Sequence, residues 1–229
     1  MFLKRVAILV DDAFFLRRAK ALFGLKLDAP QVLGEKLISY CMAHASNLTK
    51  KSKKHFYYEV AKIFVYECPP LNKRIYHPLL NTSRDLKNTI TYSGMTEYLE
   101  FLRSQRRVAL RLGTLLDSGA EYRLKPKVFN KLLRREMSLE QLTEEDFNLD
   151  VKQKGVDMKI ALDIACLSYK RQVDTIILIA GDSDFVPAAK LARTEGVDFI
   201  LDPMWHTITP LLNEHVDGIM SACSKPNIK

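Results

Sequence analysis

The chain has 229 residues, about one and a half times the ~150 of an average domain, and its 47% hydrophobic and 27% charged content excludes wholesale disorder. Thirty-five basic against 27 acidic residues leave a formal charge of +8, which favours polyanions such as nucleic acid or an acidic membrane surface. No run of 18 apolar residues offers a bilayer-spanning helix, so no membrane is expected among the partners.

Val6 to Val10 is too short for a secretory core and ends in Asp11 and Asp12, so it reads as a buried strand. Further β-rich runs follow at Val60 to Tyr66, Val108 to Leu112, Thr175 to Ala180 and Val197 to Leu201. Helical spacing falls between them, at Ala13 to Phe23, Glu35 to His44, Met95 to Ser104, Val128 to Arg135, Val156 to Ser168 and Phe185 to Thr194. Strands alternating with helices predict an α/β domain whose mostly parallel sheet is covered on both faces. A charged stretch from Tyr122 to Lys154 breaks the alternation and reads as a helical insertion in a single domain spanning 1–229, the expected place for a protein partner or a second copy. Cys41, Cys68, Cys166 and Cys223 are scattered without metal-ligand spacing, so reduced thiols and a cytoplasmic location are expected.

In such sheets the loops at the carboxyl ends of strands form the ligand crevice, and here those loops carry acids. Asp11 and Asp12 end the first run, Gly181-Asp182-Ser183-Asp184 follows the fourth, and Asp157 opens a helix after Gly155. Helix capping explains one Asp of the first pair, but not the second pair after another buried strand. Carboxylates brought together repel one another unless a cation neutralises them, and an all-oxygen set without Cys or His suits Mg²⁺ or Mn²⁺. Such a site suits hydrolysis of a phosphodiester by a metal-activated water.

The segments Val10-Asp11-Asp12-Ala13-Phe14, Lys154-Gly155-Val156-Asp157 and Gly181-Asp182-Ser183-Asp184-Phe185-Val186-Pro187, in this order and after these strands, resemble the NYN domain of the LabA-like group, related to PIN-domain nucleases. The resemblance implies a PIN-like Rossmannoid three-layer sandwich and a metal-dependent ribonuclease acting on RNA, with Asp11, Asp157, Asp182 and Asp184 as both catalytic and metal-binding residues. Phe14 stands where the family usually has Asn, and Ala180 where it often has Ser. Those departures keep a second reading open, an RNA-binding or regulatory module with a weakened site. Asp163 lies about 120° off the helical face of Asp157 and reads as a supporting acid. Asp12 either adds charge or faces solvent. A haloacid-dehalogenase-type phosphatase, which Gly181-Asp182-Ser183 also resembles, needs an acid where Ala13 stands.

Basic residues should offset the acids toward phosphate. The candidates are Arg17 and Arg18 after the first acid pair, the cluster Lys50, Lys51, Lys53 and Lys54, and Arg106 and Arg107 before the third strand. Tyr57, Tyr58, Tyr76, His77 and Tyr92 could stack on bases but read first as core, and His206 reads as structural.

Overall fold

A computed structural model of the chain describes residues 2–53, 55–116 and 119–226. The first apolar run extends as β1 (Phe2–Asp11), which leads directly into α1 (Asp12–Phe23), α2 (Pro30–Lys51) and β2 (Phe56–Glu67). A small hairpin, β3 (Arg74–His77) and β4 (Thr82–Asp85), precedes α3 (Ile90–Ser104) and β5 (Val108–Leu112). An excursion then carries β6 (Thr114–Leu115), β7 (Glu121–Leu124), α4 (Pro126–Leu133), β8 (Phe147–Asp150) and β9 (Gln153–Lys154). The chain returns through α5 (Val156–Tyr169), β10 (Thr175–Ile179), α6 (Val186–Thr194) and β11 (Asp198–Asp202), and closes with α7 (Pro210–Glu214) and β12 (Gly218–Ile219).

Six strands form one sheet in the order β12-β11-β10-β1-β2-β5, with every neighbouring pair parallel. The period of two along a strand sends alternate side chains to opposite faces. Val6, Ile8 and Val10 accordingly pack with α1, α2 and α3, while Ala7 and Leu9 pack with α5 and α6. Both faces are therefore dry, and the near-continuous apolar strands are what such a sheet requires. Each fully buried Ile or Leu contributes about 1.5–3 kcal/mol by leaving water, which makes the three-layer α/β sandwich the lowest-energy use of this sequence.

Helix ends are set locally. Asp11 caps α1, accepting from the Phe14 amide, and Thr89 caps α3 through the Tyr92 amide. Gly94 lets α3 approach the preceding loop, since a Cβ there would stand 2.2 Å from the Leu27 carbonyl oxygen.

The segment expected to be a helical insertion carries antiparallel strand pairs as well as helix. β7 pairs antiparallel with β8 and β6 with β9, and between β7 and β8 lie two 3-10 turns, at Leu139–Gln141 and Glu144–Asp146, and α4, which buries none of its residues. Pro126 at its first turn starts that helix two residues earlier than the periodicity places it, and Arg135, at φ 57°, lies beyond its end. The hairpin is anchored by aromatic packing, with the buried His77 ring 4.4 Å from that of Tyr122 and 5.0 Å from that of Phe147. Cys41 and Cys68 are buried and Cys166 is exposed, each with a free thiol. Among the described residues, no helix is long and apolar enough to cross a membrane.

Candidate active site

Strand order reverses between β1 and β10: from β1 the chain moves outward through β2 and β5, then returns to place β10 on the other flank. A crevice at the carboxyl ends of the strands belongs at this switch point. The registers level Val10 with Ile179 and Asp11 with Tyr66, so Asp11, Glu67 and the Gly181-Asp182 turn all emerge at one sheet edge.

A cleft of about 480 Å³ opens there, lined by Asp11, Phe14, Arg17, Arg18, Asp182 and His206 among others. Asp11 continues the alternation of Ala7 and Leu9 toward α5, whose first turn carries Asp157. Gly155 makes that approach possible at φ 85°, a left-handed conformation that other residues adopt only with strain. Asp182 caps a short 3-10 turn by accepting from the Asp184 amide. Burial raises the Asp11 carboxyl above its usual range, and Asp157 and Asp182 raise it further, against the opposing pull of the Phe14 amide and Arg17. Asp157 is raised as well, by burial and then by Asp182 and Asp184. Asp11 thus feels the charges of Asp157 and Asp182, and Asp157 those of Asp182 and Asp184.

Two further acids lie behind them. Glu67 is buried at the end of β2 and pushed up to about 7, chiefly by burial and then by Asp11, although the Cys68 amide and Gln153 donate to it. Asp12 does not face solvent. It is fully buried, one oxygen accepts from the Tyr98 hydroxyl at 2.8 Å, and the other has no hydrogen-bond partner among the described residues. Burial, and then the neighbouring Glu67, raise it well above its usual range. Glu67 falls one residue beyond the apolar run that marks its strand, and a carboxylate closing that run was the signal for it.

The donor chemistry fits a hard divalent cation: the acids facing the cleft offer oxygen only, and Arg17 is the basic group that offsets Asp11 and Glu67. Among the described residues, however, no three His, Cys, Asp or Glu side chains are gathered closely enough to hold an ion. Asp163 is committed elsewhere, accepting from Tyr66 at 2.8 Å and Arg111 at 2.9 Å.

The basic candidates divide. Arg17 and Arg18 line the cleft, but Arg18 spends two N–H groups on the Met204 carbonyl, at 3.0 and 2.7 Å. Lys50, Lys51 and Lys53 lie at the end of α2 just before β2, and Arg106 and Arg107 just before β5. In a parallel sheet those are amino-terminal ends: the twelve residues of β2 put the lysines roughly 40 Å of strand from the acids, and the five residues of β5 put the arginines about 17 Å away. Arg107 there pairs with Glu59 at 2.9 Å. Lys54 lies outside the described residues. A second depression, between α6 and β11, has Arg193 paired with Asp217 at 2.8 Å and is remote from the acid edge.

Phe14 is buried over Gly181, where an added Cβ would meet its ring at 2.6 Å, and its ring centroid lies 6.1 Å from that of His206. The neighbouring Trp205 is partly exposed, its indole N–H donating to the Cys223 carbonyl at 3.0 Å.

No curated protein matches the chain. A crystal structure of a protein of unknown function from Vibrio parahaemolyticus is similar at 16% identity over 94% of this chain and 91% of that one, with a TM-score of 0.45. The model of the NYN domain matches residues 45–215, from the second half of α2 to just past α7. The chain belongs to the NYN domain family, within the PIN-like nuclease superfamily.

Proposed function

We propose that the protein is a divalent-metal-dependent ribonuclease of the LabA-like group, working in the cytoplasm on RNA. The observation that carries this reading is the set of carboxylates at the switch point of the sheet, in which Asp11 and Asp157 are raised by burial and then by neighbouring acids, and Arg17 is the cation set against Asp11. Helix capping by Asp11 and Asp182 does not require that mutual repulsion, which costs stability. Asp11, Asp157, Asp182 and Asp184 would hold Mg²⁺ or Mn²⁺. Bound there, the ion supplies charge neutralisation for phosphate oxygens and a more acidic water.

The chain's own residues account for the rest. Arg17 offers a cation to a phosphate beside Asp11. Arg18, fixed on the Met204 carbonyl, holds the wall of the cleft. Phe14 packs its ring on Gly181 and lines the cleft beside Asp11. Asp12, buried behind the cleft, accepts from the Tyr98 hydroxyl and so joins α1 to α3.

The test is cleavage of a mixture of single-stranded and structured RNA under Mn²⁺. Asp182→Asn should lower turnover by ~100-fold or more, since even partners that only orient a metal ligand are worth 10–100-fold. Undiminished turnover in the purified, folded variant overturns the assignment. A second reading, an RNA-binding module without turnover, is favoured by Phe14, whose apolar ring occupies a position where the family usually offers a polar amide, and by the open spacing of the acids. It predicts RNA retention with no product under Mn²⁺.

A further inference from the structure

Glu67 has a second face. Beyond it, on the β2 and β5 side of the acids, lies a cavity of about 400 Å³ between α3, the β7–β8 hairpin and the Cys68-Pro69-Pro70 segment. Its walls include Tyr92 and Tyr122, its lining is largely apolar and includes Leu149, and the polar groups on its acid side are Glu67 and Gln153.

Both aromatic walls are held in place. Tyr92 sits in the first turn of α3, where its amide is fixed by Thr89, and Tyr122 is packed against the buried ring of His77. Gln153 donates one N–H to Glu67 at 3.2 Å, while its amide oxygen makes no hydrogen bond among the described residues. An apolar slot with preset aromatic walls and an amide at its rim is the chemistry that accepts a planar heterocycle, which stacks on its faces and hydrogen-bonds at its edge. Glu67 lines the slot one residue beyond Tyr66, which stands level with Asp11, and Asp11 lines the cleft containing Arg17.

We propose that this cavity receives one unstacked nucleobase of single-stranded RNA, next to the phosphodiester that lies at the acids. The proposal rests on the ribonuclease reading for its substrate class. It gives the insertion a role: β7, β8 and β9 supply Tyr122, Leu149 and Gln153, so the excursion out of the sandwich builds the wall that selects an unpaired strand. A base in a duplex cannot enter, because its faces and edge are already occupied.

The experiment is equilibrium binding of fluorescein-labelled 12-nucleotide RNAs in EDTA, followed by fluorescence anisotropy. The probes are a single strand, the same strand with one abasic position scanned along it, and the duplex. Tyr92→Ala strips one wall and Leu149→Trp fills the slot, and thermal melting checks that both fold. At one position of the scan, loss of the base should weaken wild-type binding ~10-fold, the scale of one aromatic-stacked base. The same loss should cost Leu149→Trp less than ~2-fold, and the duplex should bind more weakly than the single strand. If no abasic position matters, if the filled variant responds like wild type, or if wild type binds no RNA, the pocket assignment is overturned. Cleavage under Mn²⁺ with unchanged response to base removal sinks the pocket alone, and base-dependent binding with no cleavage sinks the nuclease reading alone.

Discussion

Buried acids at the same edge of the sheet are treated in opposite ways. Asp202, at the end of β11, accepts from Tyr40 at 2.7 Å, the Met204 amide at 2.6 Å and Ser221 at 2.8 Å, and lies 2.8 Å from His44. Three strands away, Glu67 and Asp12 press on each other, and Asp12 keeps one oxygen without a partner. The donors aimed at Asp202 tie α2 and the chain after β11 into the fold. The acids around Asp11 tie little together and destabilise one another. Where a protein tolerates uncompensated charge beside a fully compensated one, the first is the part selected for chemistry.

The contrast is broken most severely at Asp202. Asp202→Ala leaves Tyr40, His44 and Ser221 buried without their shared acceptor, and should cost ~3–5 kcal/mol in urea unfolding, whereas Asp182→Asn should cost no stability. Equal losses in the two variants would erase the distinction.

Glu67 sharpens it through pH. Its carboxyl is held at about 7, above its ordinary value of 4.5, so between those limits the native state binds more protons than the unfolded state. Stability should therefore fall as pH rises from about 4.5 to 7, by on the order of 3 kcal/mol, and Glu67→Gln should flatten that part of a melting profile recorded in EDTA. A wild-type profile that rises over this interval contradicts the placement of Glu67.

Mn²⁺ supplies the next contrast. At a hundred times its dissociation constant an ion adds ~2.7 kcal/mol to the native state. That gain should be present in wild type and in Lys50→Ala, and absent in Asp11→Asn, as read by melting temperature. A gain that survives Asp11→Asn places the ion elsewhere.

The smallest effect separates the two ends of the sheet. Arg17→Ala should raise the KM for RNA several-fold, as the loss of a phosphate contact does, while Lys50→Ala with Lys51→Ala should leave kcat/KM within about two-fold. A larger effect from the lysine pair would mean that RNA reaches around to the amino-terminal edge.

Much of this was legible in advance. Parallel strands buried on both faces write themselves as unbroken apolar runs, so β1 and β10, the acids that follow them and the sandwich they imply could be read directly. Short hairpins such as β3–β4 and β7–β8 have too few residues and too much polarity for a periodic signal, and tertiary contacts such as the packing of His77 on Tyr122 and Phe147 reveal that they belong together. Glu67 escaped because a strand's end is fixed by its partner's register rather than by its own pattern. The lysine cluster was assigned by charge alone. Its position before a strand, rather than after one, already pointed to the edge away from the acids.

Trp205 is the sole tryptophan of the chain, and it adjoins the cleft residue His206. Its indole is anchored at one end by the Cys223 carbonyl and partly open to solvent at the other. The protein therefore carries a built-in optical reporter at the mouth of the groove, and occupancy can be followed by intrinsic emission in unlabelled, unmodified material.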